Sequence, residues 1–235
     1  MINITFCAKR TTARINNNKK FDKAIQKLKA KDESLTSLDI DFGFIPSDNI
    51  YYEGAKKLAE ALKVNNILKS LVICDNKISD AGAKELAEGL KVNDSLKELD
   101  CEDNNISDKG AKYIAEALKE NQSLELLGLE DNNITDPGAK YIAEALKVNK
   151  RLRFLSLVGN NISDEGAKYI AEALKVNKGL RFLNLVDNNI TDPGAKYITE
   201  ALKINNSLEK LTLYNNNISD ELTKELDEAL SLKTI

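Results

Sequence analysis

The first chemical fact about this 235-residue chain is that it has no histidine. Ser-His-Asp and Cys-His mechanisms are therefore excluded, and a zinc ion would need ligands other than imidazole. Cys7, Cys74 and Cys101 are an odd number without metal-ligand or disulfide spacing, as expected in a reducing compartment. No G-x-G-x-x-G or G-x-x-x-x-G-K-[ST] motif offers a phosphate cradle. Carboxylates are plentiful, but with 30% charged residues they fall near one another by chance. The expectation is a chain that is not an enzyme and has no metal, cofactor or small-molecule substrate.

Charge and hydropathy narrow the partners. A net charge of −3 suggests neither nucleic acid nor an anionic membrane. No apolar run approaches the roughly 18 residues needed to span a bilayer. A cytoplasmic chain with a protein partner is expected.

The elements that must position any site follow from a period. Leu68, Leu96, Leu124, Leu152, Leu180 and Leu208 are spaced 28 residues apart, opening the frame L-x-x-L-x-L-x-x-N-x-I, with Ile73 and Cys101 at the sixth position of the first two. An earlier unit opens at Leu35, 33 residues before Leu68; its five extra residues fall in "DFGFIPSDNIYYEG", where Gly43 replaces the frame Asn. In each frame, alternation such as Leu155 and Leu157 against Phe154, Ser156 and Val158 predicts a short strand. Asp136 is placed as a helix N-cap before Pro137, with Ala139, Ile142, Ala143 and Leu146 on one buried stripe and Asn149 as a left-handed stop. Strands stack about 4.8 Å apart whereas helices need roughly 8–10 Å, so the sheet must curve inward.

The frame resembles the leucine-rich-repeat family over roughly residues 34 to 230, and the 28-residue unit is similar to its ribonuclease-inhibitor-like subclass. The resemblance implies an α/β fold: a right-handed horseshoe solenoid with a parallel sheet on the concave face and helices on the convex face. Three segments are expected. Residues 1–33 are an N-terminal cap, with a strand through Ile2, Ile4 and Phe6 and a helix burying Phe21, Ala24, Ile25 and Leu28. Residues 34–218 carry seven strand units. Residues 219–235 are a capping helix and tail, where Glu225 and Asp227 replace less polar residues of earlier units.

Two columns belong to the scaffold. Asn76, Asn104, Asn132, Asn160, Asn188 and Asn216 are expected inside, satisfying backbone groups where each strand turns away. Gly82, Gly110, Gly138, Gly166 and Gly194 mark close packing at helix starts. What the fold leaves open is the concave face, at frame positions two, three, five, seven and eight. There the later units offer Leu126, Phe154, Val158, Phe182, Val186 and Tyr214, and the earlier ones Asp75, Asp100, Glu102, Asp103, Glu130 and Asp131. An apolar patch beside charge is an interface signature; the alternative is that the two phenyl rings simply pack on each other. Cys74 is expected exposed, Cys101 buried in place of Leu, and the convex column Tyr113, Tyr141, Tyr169 and Tyr197 packed between helices, the alternative for that column being a second binding surface.

The leading expectation is a protein-protein interaction module that uses its concave face. One alternative is a regulator of an enzyme such as a GTPase activator, with Arg151, Arg153 and Arg181 as the available arginines. Another is a structural repeat without an evolved partner. The resemblance also implies a possible origin as a host-directed protein of an intracellular bacterium, acting in host cytosol.

Overall fold

The computed structural model describes residues 18–40 and 50–231. In chain order it contains α1 (Asn18–Lys29), β1 (Ser37–Asp39), α2 (Ile50–Leu62), β2 (Ser70–Val72), α3 (Ser79–Val92), β3 (Glu98–Asp100), α4 (Asp108–Glu120) and β4 (Leu126–Gly128). There follow α5 (Asp136–Val148), β5 (Phe154–Ser156), α6 (Asp164–Val176), β6 (Phe182–Asn184), α7 (Asp192–Leu202), β7 (Lys210–Thr212) and α8 (Asp220–Ser231). The seven strands form one parallel sheet in sequence order, with frame positions in register, as in Phe154 opposite Phe182 and Leu155 opposite Leu183. This is the expected α/β leucine-rich-repeat solenoid.

The core lies between sheet and helices. Leu99, Leu127, Leu155 and Leu183 from the strands meet Ile114, Ile142, Ile170 and Ile198 from the helices, all buried. Removing each such side chain from water contributes about 1.5–3 kcal/mol.

The frame asparagines are where the sequence placed them. Asn132 Nδ2 donates to the carbonyls of Cys101 and Glu130, while its Oδ1 accepts from the amides of Asn104 and Ile106. Each asparagine thus ties its own turn to the preceding one.

A second asparagine ladder was not foreseen. Asn149 is an extended C-cap with φ −72°, not a left-handed stop. Its Nδ2 reaches back to the carbonyls of Leu118 and Asn121, and its Oδ1 accepts from the amides of Arg151 and Leu152. Asn93, Asn121, Asn177 and Asn205 repeat the pattern. The amide shape joins helix end, strand start and preceding repeat, which a left-handed stop would not do.

Asp136 also differs from expectation. Thr135 is the N-cap, and Asp136 lies in the first turn. Its carboxylate reaches forward, accepting from the amides of Ser163 and Gly166 and the Ser163 hydroxyl at 2.6–3.0 Å. Asp80, Asp108 and Asp164 make the same staple. Close packing explains the glycine column: a Cβ on Gly138 would lie 2.5 Å from Asp108 Oδ1.

At the ends, α1 buries Phe21, Ala24, Ile25 and Leu28, and α8 buries Leu222 and Leu226 while exposing Glu225 and Asp227. Between β7 and α8 a groove opens, lined by Leu211, Leu213, Tyr214, Leu226 and Leu230. The expected strand at Ile2, Ile4 and Phe6 and the insertion around Gly43 lie outside the described residues. Among the described residues no helix is long and apolar enough to cross a membrane.

Candidate functional site on the concave face

Each strand presents its third and fifth frame residues to the concave face, and the turn after it presents the seventh and eighth. The third column runs Ser37, Ser70, Glu98, Leu126, Phe154, Phe182, Lys210 and the fifth runs Asp39, Val72, Asp100, Gly128, Ser156, Asn184, Thr212.

In the later units Phe154 and Phe182 stack with ring centroids 6.0 Å apart and planes 26° from parallel. Both remain half-buried, as do Leu126 and Val158, and Tyr214 is 62% exposed. The rings therefore pack on each other and still present apolar area to solvent. Val186 departs from expectation: at 4% exposed it is shielded and offers almost no contact area.

The acidic half is a different object from the charged rim the sequence suggested. Asp75, Asp103 and Asp131 are exposed, but Asp100 is fully buried and Glu130 is 8% exposed. Asp100 lies on a strand paired on both sides, between Val72 and Gly128, and the seventh-position Cys74 and Val186 are buried as Glu130 is. Glu102 is half-buried. Burial, then the charges of Asp100, Asp131 and Asp103, pushes the Glu102 carboxyl up to about 7. Burial and then the Asp100 charge push Glu130 up to about 8, while the nearby Ser156 hydroxyl pulls it down by less. Burial, then Asp103 and Asp187, raises Asp131 as well. The carboxyls crowd one another out of water, which disfavours the ionised form.

The eighth position proves not to be open to choice. Asp75, Asp103, Asp131, Gly159, Asp187 and Asn215 all have φ between 48° and 63°, the left-handed region that Asp, Asn and Gly tolerate best. Backbone conformation thus accounts for the aspartates there before any partner is invoked.

Cys74 corrects another expectation, being 4% exposed. Its sulfur lies with a carboxylate oxygen each from Asp100 and Glu102, all within 4.8 Å of one another. This grouping was missed because its members sit in different repeats; stacking the fifth and seventh columns of adjacent units would have shown it. Cys101 is buried in the core as expected, and burial, followed by the Asp100 and Glu130 charges, holds its thiol protonated.

Other side chains brace the scaffold. Arg153 and Arg181 donate to the carbonyls of Gly179 and Ser207 in the next repeat. On the convex face Lys84, Lys112, Lys140 and Lys168 lie over the rings of Tyr113, Tyr141, Tyr169 and Tyr197 at 5.1–5.9 Å, a cation-π ladder between adjacent helices.

No curated protein matches the chain. Two solved structures resemble it in outline. One is titled "Leiomodin-1 Actin-Binding Site 2 (ABS2)", at 20% identity and a TM-score of 0.42, covering 91% of this chain and 89% of that one. The other is a tropomodulin C-terminal domain from Caenorhabditis elegans, at 15% identity and a TM-score of 0.48, covering 91% and 93%. The family model described as the TMOD/LMOD leucine-rich domain matches residues 17–133 and 131–234, and the chain belongs to that family.

Proposed function

We propose that the protein is a non-enzymatic interaction module that binds a protein partner through its concave face. The observation that carries this reading is the stacked, half-exposed pair Phe154 and Phe182, continuous with Leu126 and Val158 and flanked by Tyr214. The partner brings an apolar patch to these residues and basic groups to Asp75, Glu102, Asp103 and Asp131. Asp100, Glu130 and Val186 lie too deep to touch it. The proposal includes residues 1–33 and 219–235 as caps sealing residues 34–218, assignment to the ribonuclease-inhibitor-like subclass on its 28-residue unit, and action in the cytosol. A bacterial, host-delivered origin is supported only by the resemblance of the repeat. For a role as a GTPase activator, Arg153 and Arg181 are engaged in bracing the next repeat, which leaves exposed Arg151 as the arginine that reading would have to use.

The test is affinity capture followed by binding kinetics, with actin among the probes because one structural neighbour's title names an actin-binding site. Phe154→Ser with Phe182→Ser is expected to raise the dissociation rate at least about tenfold, equivalent to about 1.4 kcal/mol. Asp103→Asn with Asp131→Asn, which keeps residues tolerant of positive φ, is expected to slow association and flatten its salt dependence. Unaltered kinetics in both variants would contradict the concave-face reading.

A further inference from the structure

We propose that Cys74, Asp100, Glu102 and Glu130 form a binding site for a thiophilic divalent cation of the zinc class. The site shares Glu102 with the partner-binding reading but rests on separate observations, so the two can fail separately. The first observation is the convergence of one thiol and two carboxylates from adjacent repeats, with ligand atoms within 4.8 Å of one another. Asp100 is oriented from below, its Oδ1 accepting from the Glu102 amide at 3.3 Å.

The second observation comes from the next repeat. Glu130 is more than nine-tenths buried, and its Oε2 makes no hydrogen bond. A Cβ placed on Gly128 would lie 2.7 Å from Glu130 Oε2 and 2.7 Å from Asp100 Oδ1. Both oxygens therefore point into the space above Gly128, which is open only because that residue has no side chain. A buried oxygen without a donor is costly, and a cation between the carboxylates would satisfy it.

The ligand chemistry selects the ion. Thiolate sulfur and carboxylate oxygen are both ligand types that tetrahedral zinc accepts, whereas calcium needs six to eight oxygens and magnesium favours an octahedron with several waters. Zinc ligands stand about 3.5 Å apart in a tetrahedron; the Cys74, Asp100 and Glu102 atoms already lie within 4.8 Å of one another, and Glu130 approaches Asp100 from the Gly128 side. On binding, water leaves the ion, and the thiol proton and any carboxyl protons pass to solvent. Affinity should therefore rise with pH.

The test uses the untagged full chain, whose lack of histidine removes the commonest adventitious zinc ligand. Zinc titrated by calorimetry is expected to bind one ion per chain, and cobalt substituted for it should give a thiolate-to-cobalt charge-transfer band. Cys74→Ser is expected to abolish that band and weaken zinc by about tenfold or more, and Glu130→Gln should weaken zinc while keeping the band. Cys101→Ser should leave both unchanged. Should Cys74→Ser fail to fold, Glu102→Gln on the half-exposed side of the site serves in its place, with zinc weakened by about tenfold and the band retained. Absence of binding, zinc binding unaltered in these ligand variants, or equal competition by calcium or magnesium overturns the proposal. A site that refuses metal but takes up a lysine-rich peptide belongs to a basic partner instead and overturns it too.

Discussion

The repeats around β3 and β4 and those around β5 and β6 share one backbone, two asparagine ladders and one aspartate staple, yet their inner faces meet solvent in opposite ways. In the first pair the inner positions hold Asp100, Glu102 and Glu130, crowded and withdrawn from water. In the second they hold Phe154 and Phe182, which partly satisfy one another by stacking. The difference teaches that the scaffold is closed by side chains that do not vary, so the inner columns can carry unlike chemistry without altering the fold. It also shows a cost on one side only. Stacked rings need no counterpart, whereas clustered carboxyls require a proton or a cation.

The largest expected effect tests whether the two halves truly share a scaffold. Asn132→Leu, in the acidic half, and Asn160→Leu, in the apolar half, should each destabilise by about 3 kcal/mol in urea unfolding, because each strands buried backbone groups. Clearly unequal losses would mean that the halves differ in framework and not only in inner face.

Next comes the pH dependence of the acidic half. Glu102 and Glu130 have folded values of about 7 and 8 against an ordinary 4.5, so the folded state holds these protons more tightly. Their contribution is fully present below about pH 4.5 and is lost as pH rises through 7 and 8. Most of that loss should come from Glu130, because the contribution of half-exposed Glu102 is screened by solvent. In a metal-free sample Glu130→Gln should reduce this slope and be more stable than the parent at pH 8. A variant with an unchanged slope would remove Glu130 from the account. Phe154→Ala should have a smaller effect, about 1 kcal/mol and independent of pH, because the ring is only half-buried against Phe182; a loss near 3 kcal/mol would make the pair core and not surface. Smallest of all, Lys140→Ala on the convex ladder should cost less than about 0.5 kcal/mol, as judged by the thermal midpoint.

Much of the fold was legible because each structural demand recurs every 28 residues, so a column such as Asn104, Asn132 and Asn160 states its own role. The Asn121, Asn149 and Asn177 column carried an equally regular signal, but its inward amide resembles an ordinary helix stop when one unit is read alone. Asp136 was misplaced by one position because its partners, Ser163 and Gly166, lie in the next repeat. The site was less legible. Alternation identifies which face a residue occupies, but not how deeply curvature buries it, and Asp100, Glu130, Val186 and Cys74 were all lost to that depth. At the eighth position, Asp103 and Asp131 looked like a choice of charge; the positive φ of the turn already selects them.

The most direct measurement is a carbon-13 NMR titration of the Glu102 and Glu130 side-chain carboxyls in metal-free protein. Midpoints near 7 and 8, moving sharply downward on addition of zinc, are the predicted result. Ordinary midpoints near 4.5 for both would show that the acidic half is a solvated surface no different in kind from any exposed carboxylate, and the contrast between the two halves of the concave face would fail.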